Sequence, residues 1–278
     1  MPVTTISQTT LSTVPLTVNS FLTALRSAFA AATNTTPSAP YTVTTVMEDD
    51  MISSGYHVWR VTTDSTKAKG VAFLRMNASI SGSNLTVTQL LSDTWSTSTK
   101  AVTGAAAGSA SVFTSPLNIN NPVTFTVVRH PEMQLVLIDQ GVTPLNIVGW
   151  VRPFNKIDEW DEAVCPFLFI PATEALLTFW GVSSTLFPFT SATSAIALLP
   201  HTQYRNVNKI SGRPALKPGP LELLPSSNEG GCGSLSSDFA VGACSGIPRI
   251  ANTLTAGGKT YTILVSNSTN ASLLAWTS

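Results

Sequence analysis

Residues 121–153, NPVTFTVVRHPEMQLVLIDQGVTPLNIVGWVRP, hold the densest run of strand-forming residues in the chain. Three stretches stand out inside it: Val123 to Val128, where β-branched and aromatic residues alternate; Gln134 to Ile138, a short apolar run; and Asn146 to Val151. His130-Pro131-Glu132 and Gln140-Gly141-Val142 separate them, because proline lacks a ladder N–H and glycine takes the backbone angles a turn needs. This spacing predicts a three-stranded meander. Arg129, Asp139 and Arg152 fall at or near the strand ends, where charge costs little, so the stretch reads as scaffold and not as a reaction centre.

Toward the N-terminus the period-two pattern continues. YTVTTVM (from Tyr41), YHVWRV, GVAFLRMNASI and NLTVTQLL read as strands, separated by Glu48-Asp49-Asp50, Asp64 to Lys69 and Ser81-Gly82-Ser83. Ahead of them Phe21, Leu22, Leu25, Ala28, Phe29 and Ala32 recur at helical spacing, with Asn19 or Ser20 as the expected cap. A helix of roughly fourteen residues is marginal in water alone, so it must pack on a sheet or on a neighbouring subunit. Met1 to Leu16 is Thr-rich and uncharged, with Pro2 and Pro15 near its ends. Two readings of it stand open: a strand of the chain's own sheet, or an arm that adds a strand to a neighbour's open edge. Asp93 to Ser111, DTWSTSTKAVTGAAAGSAS, has too little apolar bulk for core and reads as a long loop anchored by Trp95.

Toward the C-terminus, 154–171 combines an acidic cluster with an aromatic run broken by Pro166, and Glu174 to Trp180 is expected to form a short helix ending at Gly181. Ser183 to Ala195 reads as surface, Ala197 to Pro200 as a strand, Gln203 to Pro220 as coil and Leu221 to Leu224 as a short apolar piece. Gly230 to Gly246 is glycine-rich. The end returns to pattern, with a hairpin across Gly257-Gly258 and a final strand closing on Trp276. The expected fold is mainly β (α+β), with antiparallel, sandwich-like sheets and one N-terminal amphipathic helix packed on a sheet. Its parts are an extended arm over 1–16, a helix plus antiparallel β domain over 17–153, and a loop-rich β region over 154–278 packed on the first.

Composition narrows the function. Charged residues make up 11 % of the 278, against roughly 25 % in an ordinary soluble domain. Fifteen basic and fifteen acidic residues cancel, and no basic cluster marks a nucleic-acid or anionic-lipid footprint. A neutral, charge-poor surface favours association and suits a subunit of an assembly. The start MPVTTISQTT lacks the pattern of a secretory signal and no run approaches a membrane span, so synthesis in a cytosol and no membrane partner are expected. Cys165, Cys232 and Cys244 read as reduced thiols; Cys232 and Cys244 leave a pairing within a glycine-rich loop open.

Candidate chemistry is thin. Asp158, Glu159, Asp161 and Glu162 surround Trp160 without the spacing of a calcium loop and read as a solvated or partner-facing turn. Gly242-Ala243-Cys244-Ser245-Gly246 matches a nucleophile elbow, but Pro248 breaks the helix such an elbow requires. A base would have to be His57, in a strand pattern, His130, at a turn, or His201. No phosphate loop, dinucleotide fingerprint or paired Cys-X-X-Cys occurs, so no catalytic residue, metal or cofactor is expected. Trp59, Trp150 and Trp276 lie in apolar strands. Trp95, Trp160 and Trp180 fall in segments without regular pattern and, with Val3, Ile6 and Leu11 of the arm, are the candidate interface residues.

The order of segments resembles structural proteins of tailed-bacteriophage virions. The likeness runs from SFLTALRSAFA through YHVWRV, GVAFLRMN and the loop opened by DTW to NIVGWVRP before the aromatic FLFIP. It then continues through LELLP and the glycine-rich passage to TLTAGGKTYTILVS. Where such proteins carry Tyr-Pro-Tyr-Pro-like aromatics this chain has WDEAVCPFLF. The resemblance implies a non-enzymatic tail, neck or baseplate subunit. It would be made in a bacterial host cytoplasm, located in the virion, and partnered by copies of itself and other virion proteins. Alternatives are a receptor- or glycan-binding attachment protein using the loops Ser92 to Ser111 and Ser183 to Ala195, and a capsid decoration protein.

Overall fold

The computed structural model describes residues 4–31, 44–62, 71–92, 94–101, 109–112, 116–131, 133–141, 146–151, 167–171, 177–180, 195–199, 216–218, 221–225, 233–235, 237–242, 253–266 and 272–277. Along the chain run β1 (Thr5–Leu11), α1 (Val18–Ala31), β2 (Thr44–Met51), β3 (Tyr56–Thr62), β4 (Val71–Ser81), β5 (Asn84–Ser92), β6 (Ser109–Val112), β7 (Leu117–Asn118), β8 (Val123–His130), β9 (Met133–Asp139) and β10 (Asn146–Val151). There follow β11 (Phe167–Pro171), β12 (Leu177–Trp180), β13 (Ala195–Leu199), β14 (Leu216–Pro218), β15 (Leu221–Pro225), β16 (Gly233–Leu235), β17 (Phe239–Gly242), β18 (Thr253–Ala256), β19 (Lys259–Ser266) and β20 (Ser272–Trp276).

All pairings are antiparallel, and the strands make three sheets. One has the order β1-β8-β9-β10-β11-β12-β13-β15-β16, a second β14-β17-β20-β19-β18, and the third β2-β3-β4-β5-β6 with β7 also on β5. The fold is therefore mainly β, with one helix packed on antiparallel sheets. The meander is β8-β9-β10, as its spacing predicts. Its strands are buried on both faces: Met133 to Ile138 are all covered, which is why β9 shows a continuous apolar run in place of alternation. On one face Phe125 meets Phe21 of α1, ring centroids 5.7 Å apart. On the other, His130 meets Phe239 of β17, centroids 4.7 Å apart. Phe21, Phe125, Phe239 and Leu264 belong to one continuous core, with the meander as its middle layer.

Helix α1 seals one side. Phe21, Leu22, Leu25, Ala28 and Phe29 are its buried residues, and each large one contributes roughly 2–3 kcal/mol through burial. Its cap is Thr17, ahead of the expected Asn19 or Ser20. Thr17 Oγ1 accepts from the Ser20 N–H at 3.0 Å, and Ser20 Oγ accepts from the Thr17 N–H at 3.0 Å, a reciprocal box in which Ser20 replaces the usual Glu. Leu16 and Phe21, both buried in the same core, occupy the positions of a hydrophobic staple.

Residues 5–11 of the expected arm pair in unbroken register with β8 of the same chain, from Thr5↔Arg129 to Leu11↔Val123, so this stretch is the edge strand of its own sheet. Across the expected boundary at 153, β10 pairs with β11, and the nine-stranded sheet continues into the C-terminal half. Three local expectations are corrected. Leu177 to Trp180 is a strand between β11 and β13, not part of a helix: a helix over the seven residues Glu174 to Trp180 makes too few hydrogen bonds to repay nucleation, whereas an aromatic strand with neighbours on both sides has a full ladder. Ser109 to Ser111, the end of the expected loop, belong to β6, which pairs with β5. β14, β16 and β17 lie in stretches expected as coil or glycine-rich loop; β14 and β17 pair with each other, β17 also with β20, and β16 with the preceding β15.

Candidate functional site

Glu48-Asp49-Asp50, expected as a break between strands, lies inside β2, and a bulge there sets what each carboxylate does. Met47 pairs with Trp59, but Asp49 pairs with Val58, so Glu48 is the extra residue. Strict alternation would put Asp49 on the core face with Met47. The bulge turns it to the outer face instead. There its carboxylate accepts from the Trp95 indole N–H and from the Lys100 ammonium. Burial pushes the Asp49 carboxyl upward, but the hydrogen bonds from Lys100 and Trp95 and the Lys100 charge together outweigh it and hold the group below its ordinary value. Asp50, back on the core face opposite His57, pairs with Arg26 of α1. Glu48 lies 3.7 Å from Arg60, a half-exposed pair of little energetic weight.

Trp95 is the anchor of residues 94–101, as its place in the sequence predicts. Its ring meets Tyr56 edge-on at 6.3 Å, and the Arg75 guanidinium lies 4.0 Å from the Tyr56 centroid and 5.7 Å from that of Trp95. Arg75 Nε donates to Asn77 Oδ1 at 2.7 Å, which fixes the guanidinium plane. The segment closes on itself through the Ser96 N–H to Ala101 carbonyl bond of 2.9 Å, and Lys100 takes a left-handed φ of 55° to reach Asp49. Sheet, aromatic pair and charge are thus locked together on the outer face of β2, β3 and β4.

Two glutamines tie the sheets together. Gln134, buried on β9, donates to the Phe29 carbonyl at 2.8 Å and accepts from Thr45 Oγ1 at 2.7 Å and Trp150 Nε1 at 2.9 Å, joining the end of α1, β2 and β10. Gln89, buried on β5, donates to the Ile147 carbonyl at 2.6 Å and accepts from the Gly149 N–H at 3.0 Å. Its amide acts as the peptide of an added strand along the part of β10 that β11, paired only at Trp150 and Val151, does not cover. Gly149 makes this approach possible with φ +132°; a Cβ there would sit 2.0 Å from the Gln134 carbonyl oxygen.

The described histidines are placed to stay neutral. His57 is fully buried with neither ring nitrogen hydrogen-bonded, edge-on to Trp59 at 6.1 Å; burial, then the Arg26 charge, pushes its pKa down to about 3. His130 Nε2 faces Asp238 at 3.1 Å, joining β8 to the approach of β17; burial lowers its pKa, partly offset by the Asp238 hydrogen bond and charge. The chemistry of these side chains is holding layers together.

Of the candidate interface residues, Ile6 and Leu11 are half-buried against the protein's own core, and Trp95 is committed to Asp49, Tyr56 and Arg75. Trp180 stands in β12, its backbone paired with Leu168 and Ala195. Val3, Trp160, the acidic cluster 158–162, His201, the three cysteines and residues 243–246 lie outside the described residues. Gln134, Gln89 and the bulged Asp49 are what sequence reasoning missed. A glutamine inside an apolar strand run, twice in one chain, is the signal that marks the first two. Among the described residues no cluster of His, Cys, Asp or Glu could hold a metal ion, and no helix is long and apolar enough to cross a membrane. No protein-family model matches the chain, and no curated protein matches it in sequence.

Proposed function

We propose that this chain is a non-enzymatic structural subunit of a tailed-bacteriophage virion, acting in assembly at the tail, neck or baseplate. It is made in the host cytoplasm and partnered by copies of itself and other virion proteins. The observation that carries the reading is how the buried polar side chains are spent. Gln134, Gln89 and His130 each join one layer to the next, and Asp49 fastens a loop to its sheet. A particle component must hold its shape under load, and internal struts serve that need. The end-to-end order of segments, the low charge content and the zero net charge support the same reading. In the attachment-protein alternative Trp95 would be a stacking platform, but its indole N–H and ring are already committed inside the fold. Mass spectrometry of purified particles tests the proposal: the chain is expected at a stoichiometric level, and its absence from intact particles would overturn it.

A further inference from the structure

The described sheet edges are not alike. Natural edge strands carry features that stop other strands from pairing with them: shortness, proline, charge or a bulge. All of the described edges but one have one or more. β16 and β14 are three residues each, and β14 contains Lys217 and Pro218; β18 and β6 are four residues each; β2 carries three carboxylates and a bulge. β1 has none of these. It is seven residues long, TISQTTL, without charge, proline or bulge, in unbroken register with β8 on one side. Its other side has no strand partner among the described residues, and five of its seven residues are exposed.

From this contrast we infer that β1 is an assembly edge whose partner is β1 of a second copy, paired antiparallel about Gln8 to join the two nine-stranded sheets into one. The sequence of the strand favours itself as partner. Pairing about Gln8 sets Thr5 opposite Leu11, Ile6 opposite Thr10, Ser7 opposite Thr9 and Gln8 opposite Gln8, all uncharged, with β-branched or hydroxyl side chains in three of the four kinds of pair. The pairs keep the same parity, so the faces of the two sheets stay aligned. The contact is isologous, the commonest symmetry of soluble oligomers, and copies with zero formal net charge do not repel one another. Backbone hydrogen bonds supply the affinity, as in other strand additions.

The experiment is sedimentation equilibrium of the purified chain over a wide concentration range, with circular dichroism to verify folding. The wild type is expected at twice the chain mass. Ser7→Lys with Thr9→Lys places two lysine pairs across the two-fold axis and is expected to weaken dimerisation at least tenfold. Ser7→Lys with Thr9→Glu places Lys opposite Glu twice and is expected to restore it. A wild type that is monomeric throughout, a double-lysine dimer of unchanged affinity, or a Lys/Glu variant that stays monomeric overturns the inference. Should the double-lysine chain lose its fold, hydrogen exchange on the wild type decides. Alternate β1 amides, those pointing away from β8, must exchange faster on dilution, and exchange independent of concentration overturns the pairing. The inference stands on the edge strand alone. A monomer found in particles would end it and leave the virion reading intact, whereas a dimer absent from particles would do the reverse.

Discussion

The meander β8-β9-β10 is covered on both faces, and the two faces are held by different chemistry. Toward α1 and the six-stranded sheet the ties are neutral amides: Gln134 and Gln89 spend their donors and acceptors on backbone and side-chain groups of neighbouring layers. Toward the five-stranded sheet the tie is titratable, His130 against Asp238 beside Phe239. An amide keeps its hydrogen bonds at any pH and tolerates no loss of geometry. A histidine pair accepts a looser fit and answers to protons. The first face also holds a histidine, His57, but uses it as a buried ring edge-on to Trp59, without a hydrogen-bond partner. What separates the faces is therefore the tie itself: fixed amides on one, an imidazole–carboxylate pair on the other.

The most severe way to break the amide face is Gly149→Ala. A Cβ 2.0 Å from the Gln134 carbonyl oxygen and 2.9 Å from the Leu135 Cα, on a residue at φ +132°, leaves no relaxation that keeps the Gln89 bond. A loss of about 5 kcal/mol or more is expected, read as failure to fold or a collapsed urea midpoint.

Acid sharpens the contrast next. The folded pKa of His57, about 3, lies below its unfolded value of 6.5, so its contribution is fully present above pH 6.5 and is lost as pH falls from there toward 3. The total is on the order of 4–5 kcal/mol. Urea titrations at pH 7, 6, 5 and 4 should show this slope, and His57→Leu should flatten it. His130→Gln, which gives the second face an amide like the first, should flatten it less, because Asp238 already favours the protonated form and offsets part of the burial effect. An acid slope unchanged by His57→Leu would remove His57 from the account.

Gln134→Leu comes third. It leaves Thr45 Oγ1, Trp150 Nε1 and the Phe29 carbonyl without this partner, and a cost of about 3 kcal/mol is expected by urea denaturation at pH 7, with little change in acid slope. The smallest effect is Thr17→Ala, which removes one half of the capping box: about 1 kcal/mol, visible as a few degrees in Tm and independent of pH.

Much of the fold is legible locally. The meander, the helix, the β4–β5 hairpin and the terminal hairpin across Gly257-Gly258, both at positive φ, each follow from periods and turns carried by consecutive residues. The candidate site is far less legible, because its parts come from distant segments. Nothing near Asp49 announces that a bulge turns it outward, since bulges arise from how two strands must match and not from one strand's composition. Gln134 looks like a polar lapse in an apolar strand until Phe29, Thr45 and Trp150 arrive around it.

Residue order alone thus settled the class of the chain: mainly β, one amphipathic helix, antiparallel pairing, little charge and a scaffold at 121–153. Hydrophobic period and turn chemistry are local quantities, carried by the residues themselves. Tertiary structure decided which edge β1 fills, that the meander is buried on both faces, that Leu177 to Trp180 pairs as a strand, and that the polar residues of the interior serve as ties between layers. Each of these depends on a partner outside the segment itself. A hydrogen bond or a buried face exists only once both sides are in place, and no local pattern records the other side.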